Sequence, residues 1–212
     1  MFRHFLEASD ISKTIKGRTI IRKTSFEMRG GRVYGLKGDN GSGKTMLLRL
    51  LCGLSNISSG KVMVDGIDII DKKATYNRGI VIETSFLWPH LRGIDNLRYL
   101  AGLNNRIGND DIADAMLRVG LDPGNQLAVK KYSLGMRQRL LIAQAIMEKP
   151  DFLFLDEPTN SLDRTGVLLI RKIIAEEAER GAAVILSSHI NQDVSDLCDE
   201  VYLLSNGRVE RV

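Results

Sequence analysis

Apolar residues recur along the chain at two different spacings, every second residue in some stretches and every third or fourth in others. Alternation over residues 5–11 and 19–26 predicts two strands, with Lys16-Gly17-Arg18 as the turn between them. The run Val33-Tyr34-Gly35-Leu36 predicts a short strand, and residues 46–54 read as a buried helix. Residues 61–64 predict a strand that turns at Asp65-Gly66, and Ile80-Val81-Ile82 another. From about 91 to 135 the spacing is helical (Leu97 and Leu100, then Ile112, Met116 and Val119), with Gly and Asn breakers between. A helix over 136–148 follows and is ended by Pro150. Strands at 152–155, 183–187, 201–204 and 208–210 then alternate with helices at 164–180 and 191–196.

Strands alternating with helices imply right-handed crossovers and a mainly parallel sheet. The expected fold is α/β: one domain with an N-terminal antiparallel β portion and an inserted helical subdomain. Residues 1–90 and 136–212 would form the core, and about 91–135 the insertion.

Composition narrows the function. Of 212 residues, 43% are hydrophobic and 26% charged, and the net charge is +4. Lys and Arg are scattered, with Lys72-Lys73, Lys130-Lys131 and Arg137–Arg139 the densest groups. A nucleic-acid stripe needs more clustering, so no nucleic-acid partner is expected. Cys52 and Cys198 lie far apart and read as small hydrophobes in a reducing compartment. Residues 1–10 carry charges and no apolar centre, so no leader is expected, and no uncharged run reaches membrane-spanning length. A membrane role would come through a partner.

Two motifs carry chemistry. Gly38-Asp39-Asn40-Gly41-Ser42-Gly43-Lys44-Thr45 matches G-x-x-x-x-G-K-[ST], with an expected strand before it and a helix after. Such a loop points backbone N–H groups at phosphate oxygens, Lys44 adds a point charge, and the Thr45 hydroxyl is a Mg²⁺ ligand. The second motif is Phe152-Leu153-Phe154-Leu155-Asp156-Glu157-Pro158, four apolar residues that deliver two acids to a strand end. Asp156 would hold Mg²⁺ through its water shell, and Glu157 would act as general base on the attacking water. Adjacent acids on a strand face opposite ways unless the strand is ending, and Pro158 favours an ending.

With these motifs in place, the chain resembles the ABC (ATP-binding cassette) ATPase family over nearly its whole length. Tyr132-Ser133-Leu134-Gly135-Met136 stands where that family has its Leu-Ser-Gly-Gly-Gln signature, and Arg137-Gln138-Arg139 follows it. Ser161-Leu162-Asp163 resembles the D-loop, His189 the switch histidine, and Glu83 occupies the place of the Q-loop glutamine. The resemblance implies that Ser133 and Gly135 cap ATP bound to a second subunit, although Ser133 alone would also suit a plain helix N-cap. It implies that His189 contacts the γ-phosphate. Glu83 and the Ser-Leu-Gly-Met signature are similar to those of bacitracin-export and lantibiotic-immunity ATPases. At this point Glu83 reads either as a Mg²⁺ ligand or as a surface acid. Trp88 reads either as core or as an anchor for a membrane partner.

The family further implies ATP and Mg²⁺ as cofactors, an ATPase dimer, and separate integral membrane permease subunits. These would place the chain at the inner face of the cell membrane. A non-transport member, such as a cluster-assembly ATPase, stays open. The family often stacks an aromatic on adenine, but Ile15 occupies that place here, so weak base selectivity is expected. His4 and His90 read as surface residues.

Overall fold

A computed structural model describes residues 4–69, 76–83, 85–189 and 191–212, apart from the side chains of 191–193. Lys72-Lys73 and Thr84 lie outside the described residues. Strands β1 (Phe5–Ile15) and β2 (Arg18–Arg29) pair antiparallel around Lys16 and Gly17, at φ +48° and +80°. Two successive left-handed positions are what a tight hairpin turn demands. Strand β3 (Arg32–Lys37) leads into helix α1 (Lys44–Leu51). A second hairpin joins β4 (Ser59–Val64) to β5 (Ile67–Asp68). After β6 (Arg78–Val81) come α2 (Gly93–Asn104), α3 (Asn109–Arg118) and a 3-10 turn at Val129–Lys131. The rest is α4 (Leu134–Ile146), β7 (Phe152–Asp156), α5 (Arg164–Glu179), β8 (Ala183–Ser187), α6 (Asn191–Leu197), β9 (Glu200–Ser205) and β10 (Arg208–Arg211).

The strands form two sheets. One is antiparallel, in the order β2-β1-β4-β5; the other runs β10-β9-β3-β8-β7-β6. In the second sheet only β10 is antiparallel to its neighbour. This is the α/β fold the periodicity predicts.

Strand β7 shows how the layers stack. Phe152 and Phe154 enter a cluster with α1 and the antiparallel sheet, while Leu153 and Leu155 enter the opposite cluster with α4 and α5. All four are completely buried. A parallel strand covered on both faces has no polar side to present, which is why its sequence is a continuous apolar run.

Helices α1 and α4 both begin two residues before the apolar period does. Their first turns face a cavity or solvent rather than the core, so apolar spacing starts late. Lys149, at φ +51°, and Pro150 close the stretch after α4. His4 departs from the surface reading. It is half-buried between Asp65 and Asp151, at 3.5 and 3.2 Å, and its ring meets Phe152 edge-on. Cys52 is buried and Cys198 half-buried.

The helices at 93–118 share an apolar cluster with α4 and α5, and a buried acid adds a polar tie. Glu177 on α5 is 1% exposed, and it accepts from Arg118 of α3 at 2.8 Å and from Arg180 at 2.8 Å. Burial pulls the Arg118 pKa down, but the bonds and charges of Glu177 and Glu176 outweigh it and leave the net shift upward. Glu177→Ala strips two guanidinium groups of a buried partner. The expected cost is about 3 kcal/mol, the low end for breaking a buried pair because both arginines keep access to water. Chemical denaturation measures it, and a loss below about 1 kcal/mol, the range of a surface pair, would show the hub to be unimportant.

Candidate functional site

Four parallel strands end at the same level. In register, Val81 of β6 lies beside Leu155 of β7, Asp156 beside Ser187 of β8, and Leu36 of β3 also beside Ser187. Whatever follows each strand therefore projects into one crevice at the C-terminal edge of the sheet, the usual ligand position in such sheets. Residues 38–43 follow β3, Glu83 follows β6, Glu157 follows β7 and His189 follows β8. A cavity of about 550 Å³ opens there. Its lining includes Asn40, Gly41, Gly43, Lys44, Thr45 and Glu83, together with Asp156 and Glu157.

The loop from Gly38 to Gly43 is shaped by steric limits. A Cβ on Gly38 would sit 2.4 Å from the Leu204 carbonyl oxygen and 2.7 Å from Ser42 Oγ. Gly43 has φ +112°, and a Cβ there would meet Ile21 Cδ1 at 2.8 Å. Asp39 accepts from the Ser42 amide at 3.1 Å, which closes the turn through Asn40 and Gly41. Gly43 is the N-cap of α1 and has no side chain to cap it, so the first amides of the helix remain open for a ligand.

Two features show that an anion fits this loop. Lys44 is 6% exposed, donates to the carbonyls of Gly38 at 2.7 Å and Asp39 at 3.2 Å, and has no carboxylate partner among the described residues. A buried cation without a counter-charge is costly until an anion arrives. Ser42 Oγ is buried and has no hydrogen-bond partner among the described residues.

The acids are held differently from one another. Asp156 closes β7, and both its oxygens accept short bonds: Oδ2 from Thr45 at 2.5 Å and Oδ1 from Ser187 at 2.5 Å. Glu157 lies just past the strand at φ +50°, in the left-handed region, so the two acids escape strand alternation. Its amide donates to Ser187 Oγ at 3.1 Å and to the Ser187 carbonyl at 3.2 Å. Its carboxylate Oε2 lies 2.8 Å from Nδ1 of His189. Glu83 is exposed in a turn closed by Ile82 and Ser85, and its side chain borders the same cavity.

Other expected site residues lie elsewhere. Ser133 caps α4, accepting from the Met136 amide at 3.1 Å. Neither Ser133 nor Gly135 borders the cavity. Gly135 packs against the next loop, where a Cβ would lie 3.1 Å from the Ser161 carbonyl oxygen. Ser161 is exposed at φ +66°, Leu162 is half-buried, and Asp163 caps α5 through the Gly166 amide at 2.9 Å. The Thr165 hydroxyl and that amide hold the Asp163 carboxyl below the usual range.

Four residues contribute in ways the motifs do not assign. Ser187 bridges both acids, Gln138 and Asn160 border the cavity, and buried Asn96 clamps the turn after Glu83 through the backbone of Trp88 and Arg92. Ser187 was within reach as the last residue of a buried strand. Asn160 gives no local signal, and for Gln138 the Arg-Gln-Arg triplet marks the place but not the role, because only tertiary packing brings them to the cavity.

Comparison with known proteins adds lineage to this geometry. The family model described as ABC transporter matches residues 21–160. The chain belongs to the ABC transporter family. An ABC transporter ATP-binding protein of Bacillus subtilis (strain 168), YybJ, is 42% identical over 207 residues, covering 97% of this chain and 94% of YybJ. The bacitracin transport ATP-binding protein BcrA of Enterococcus faecalis is 32% identical over 212 residues, covering 99% of this chain and 69% of BcrA. A solved structure described as the ATP-binding subunit of an ABC transporter superposes with a TM-score of 0.88 at 25% identity, over 98% of this chain and 89% of that one. The chain is thus an ABC transporter ATP-binding subunit and an ATPase.

For this ATPase, Ser187→Ala removes one donor from Asp156 while Glu157 keeps the Ser187 carbonyl. Losing one such bond, about 1–1.5 kcal/mol, should lower turnover roughly tenfold if it is spent in the transition state. ATPase rate and nucleotide affinity, measured together, check this; unchanged turnover would show that the bridge does not shape the site.

Proposed function

We propose that this ATPase drives transport through separate integral membrane permease subunits, working as a dimer at the inner face of the membrane, with a peptide antibiotic as the class of cargo. The observation that carries the reading is the convergence of Lys44, Asp156, Glu157 and His189 at one sheet edge, with Glu157 and His189 at 2.8 Å. Similarity to a bacitracin transport ATP-binding protein supports the cargo class. Among the described residues no helix is long and apolar enough to cross a membrane, so passage of cargo is assigned to other subunits.

On this reading the amides of residues 38–45 and Lys44 bind the triphosphate. Glu157 takes the proton of the attacking water, and His189, held by Glu157, contacts the γ-phosphate. Mg²⁺ fits the donor set, since Thr45 Oγ1 and Asp156 Oδ2 are two hard oxygens already side by side, with Glu83 bordering the same cavity. When bound, the ion neutralises charge on the β- and γ-phosphates. Among the described residues no three His, Cys, Asp or Glu side chains form a metal site, so the protein would supply only part of the shell.

Ser133 and Gly135 do not border the chain's own cavity, which supports their use across a two-fold dimer. Residues 91–135 form the unit that relays closure to the permease. Phe86, Trp88 and Tyr99 meet edge-to-face in series, with ring centroids 5.9 and 4.5 Å apart, and Phe86 and Tyr99 remain more than half exposed. This supports the anchor reading of Trp88.

Glu157→Gln should keep ATP binding, lose about 100-fold or more of turnover, and trap an ATP-bound dimer seen by size exclusion. Turnover near the wild-type rate would sink the base assignment. Glu83→Gln removes a charge from the metal side of the cavity. ATPase rate against free Mg²⁺ should show a higher half-maximal concentration, with nucleotide-free stability unchanged. An unmoved midpoint would return Glu83 to the surface-acid reading.

A further inference from the structure

The loop that carries Glu157 has a costly backbone. Glu157 and Ser161 both sit at positive φ, +50° and +66°, and neither is glycine. Such conformations persist only where surrounding structure over-determines them, and they concentrate at functional sites. Within the loop the Asn160 amide reaches the Glu157 carbonyl at 3.2 Å, and the Leu162 amide the Thr159 carbonyl at 3.3 Å. Both are long bonds. Support from outside comes from two sides. Ser187 of β8 holds the Glu157 amide, and α4 holds the middle of the loop, where Gln138 Nε2 donates to the Pro158 carbonyl at 3.1 Å.

Gln138 is the one α4 residue among those bordering the nucleotide cavity, beside Glu83, Glu157 and Asn160. It lies one turn along from Gly135, which packs on the far end of the same loop at Ser161. Helix α4 therefore braces the loop at two points, once by close packing and once by a directional bond. A neutral carboxamide suits this place. It can donate to a carbonyl without adding charge near two carboxylates.

We infer that Gln138 is a positioning residue for hydrolysis: its bond to the Pro158 carbonyl fixes the 157–160 loop to α4 and so sets where the Glu157 carboxylate points in the cavity. The inference rests on Glu157 as the base. It has a consequence for coupling. Helix α4 is capped by Ser133 and carries Gly135 in its first turn, so a displacement of its N-terminus reaches the loop of Glu157 through the Gln138 bond and the Gly135 contact.

The test is single-turnover ATP hydrolysis by Gln138→Ala, Gln138→Met, Glu157→Gln and the double variant Gln138→Ala with Glu157→Gln. Loss of one positioning bond predicts a fall of about tenfold in rate for Gln138→Ala, with nucleotide affinity within about twofold of wild type and an unchanged melting temperature. In the Glu157→Gln background the same substitution should cost less than about twofold, because the group it positions is already gone. Gln138→Met keeps the bulk without the N–H donor, so it should behave like Gln138→Ala, and it decides the matter if the alanine variant unfolds early. Wild-type rates in Gln138→Met, or an equal loss with and without Glu157, would overturn the positioning role while leaving the base assignment intact. Undiminished turnover in Glu157→Gln alone would instead overturn the base assignment.

Discussion

Burial of strand β7 on both faces is the constraint from which the site follows. Its four apolar residues leave no room for a polar side chain between Phe152 and Leu155. Ionisable groups can appear only where the strand leaves the core, and Asp156 and Glu157 stand there. Parallel pairing then fixes the height of every neighbour. Glu83, the phosphate-binding loop, Ser187 and His189 reach the same edge because β6, β3 and β8 are in register with β7. Full burial of a Leu or Phe side chain stabilises by roughly 1.5–3 kcal/mol, so a one-residue slip that moved these residues would be expensive. Catalytic geometry is thus inherited from hydrophobic register.

Charge is distributed along that edge in an asymmetric way. On one side Lys44 is buried with carbonyl partners and no carboxylate among the described residues, a cation kept ready for phosphate. On the other, Asp156 has both oxygens occupied by hydroxyls, and Glu157 shares a contact with His189. Thr45 belongs to both sides, since it follows Lys44 in sequence and donates to Asp156. An anionic ligand bound by the loop would bring its charge beside that hydroxyl. Acids alone would repel it; Lys44 and the helix start offset the repulsion.

Much of this was legible in the residues themselves. The phosphate loop and the acid pair are local, because each needs a short run with fixed chemistry, and each run carries its own steric or burial reason. Element types were legible for the same cause, since periodicity reports burial. Helix starts at α1 and α4 were not, because a first turn that faces a cavity gives no apolar signal. His4 was misread because its partners, Asp65 and Asp151, lie far along the chain. The same holds for Asn160 and for the role, though not the place, of Gln138. A side chain whose role depends on where another element packs leaves no trace of that role in its own neighbourhood, and Glu83 is legible only because a motif marks its place.

The two ways α4 touches the rest of the chain differ in kind, and the difference bears on how motion could pass through it. Its buried face, with Leu140, Ile142, Ala143 and Ile146, belongs to the apolar cluster shared with α2, α3 and α5. Apolar packing of this sort is dense and non-directional, so it carries rigid-body displacement but does not aim a side chain. Its first turns, by contrast, touch the catalytic loop through the Gly135 backbone and the Gln138 carboxamide. These contacts are few and directional, and they act on a loop whose backbone is already held at two unfavourable angles. A helix moved as a body by its apolar face would therefore change the loop through its polar end. Packing sets the extent of the movement, and the hydrogen bond sets what it does to Glu157.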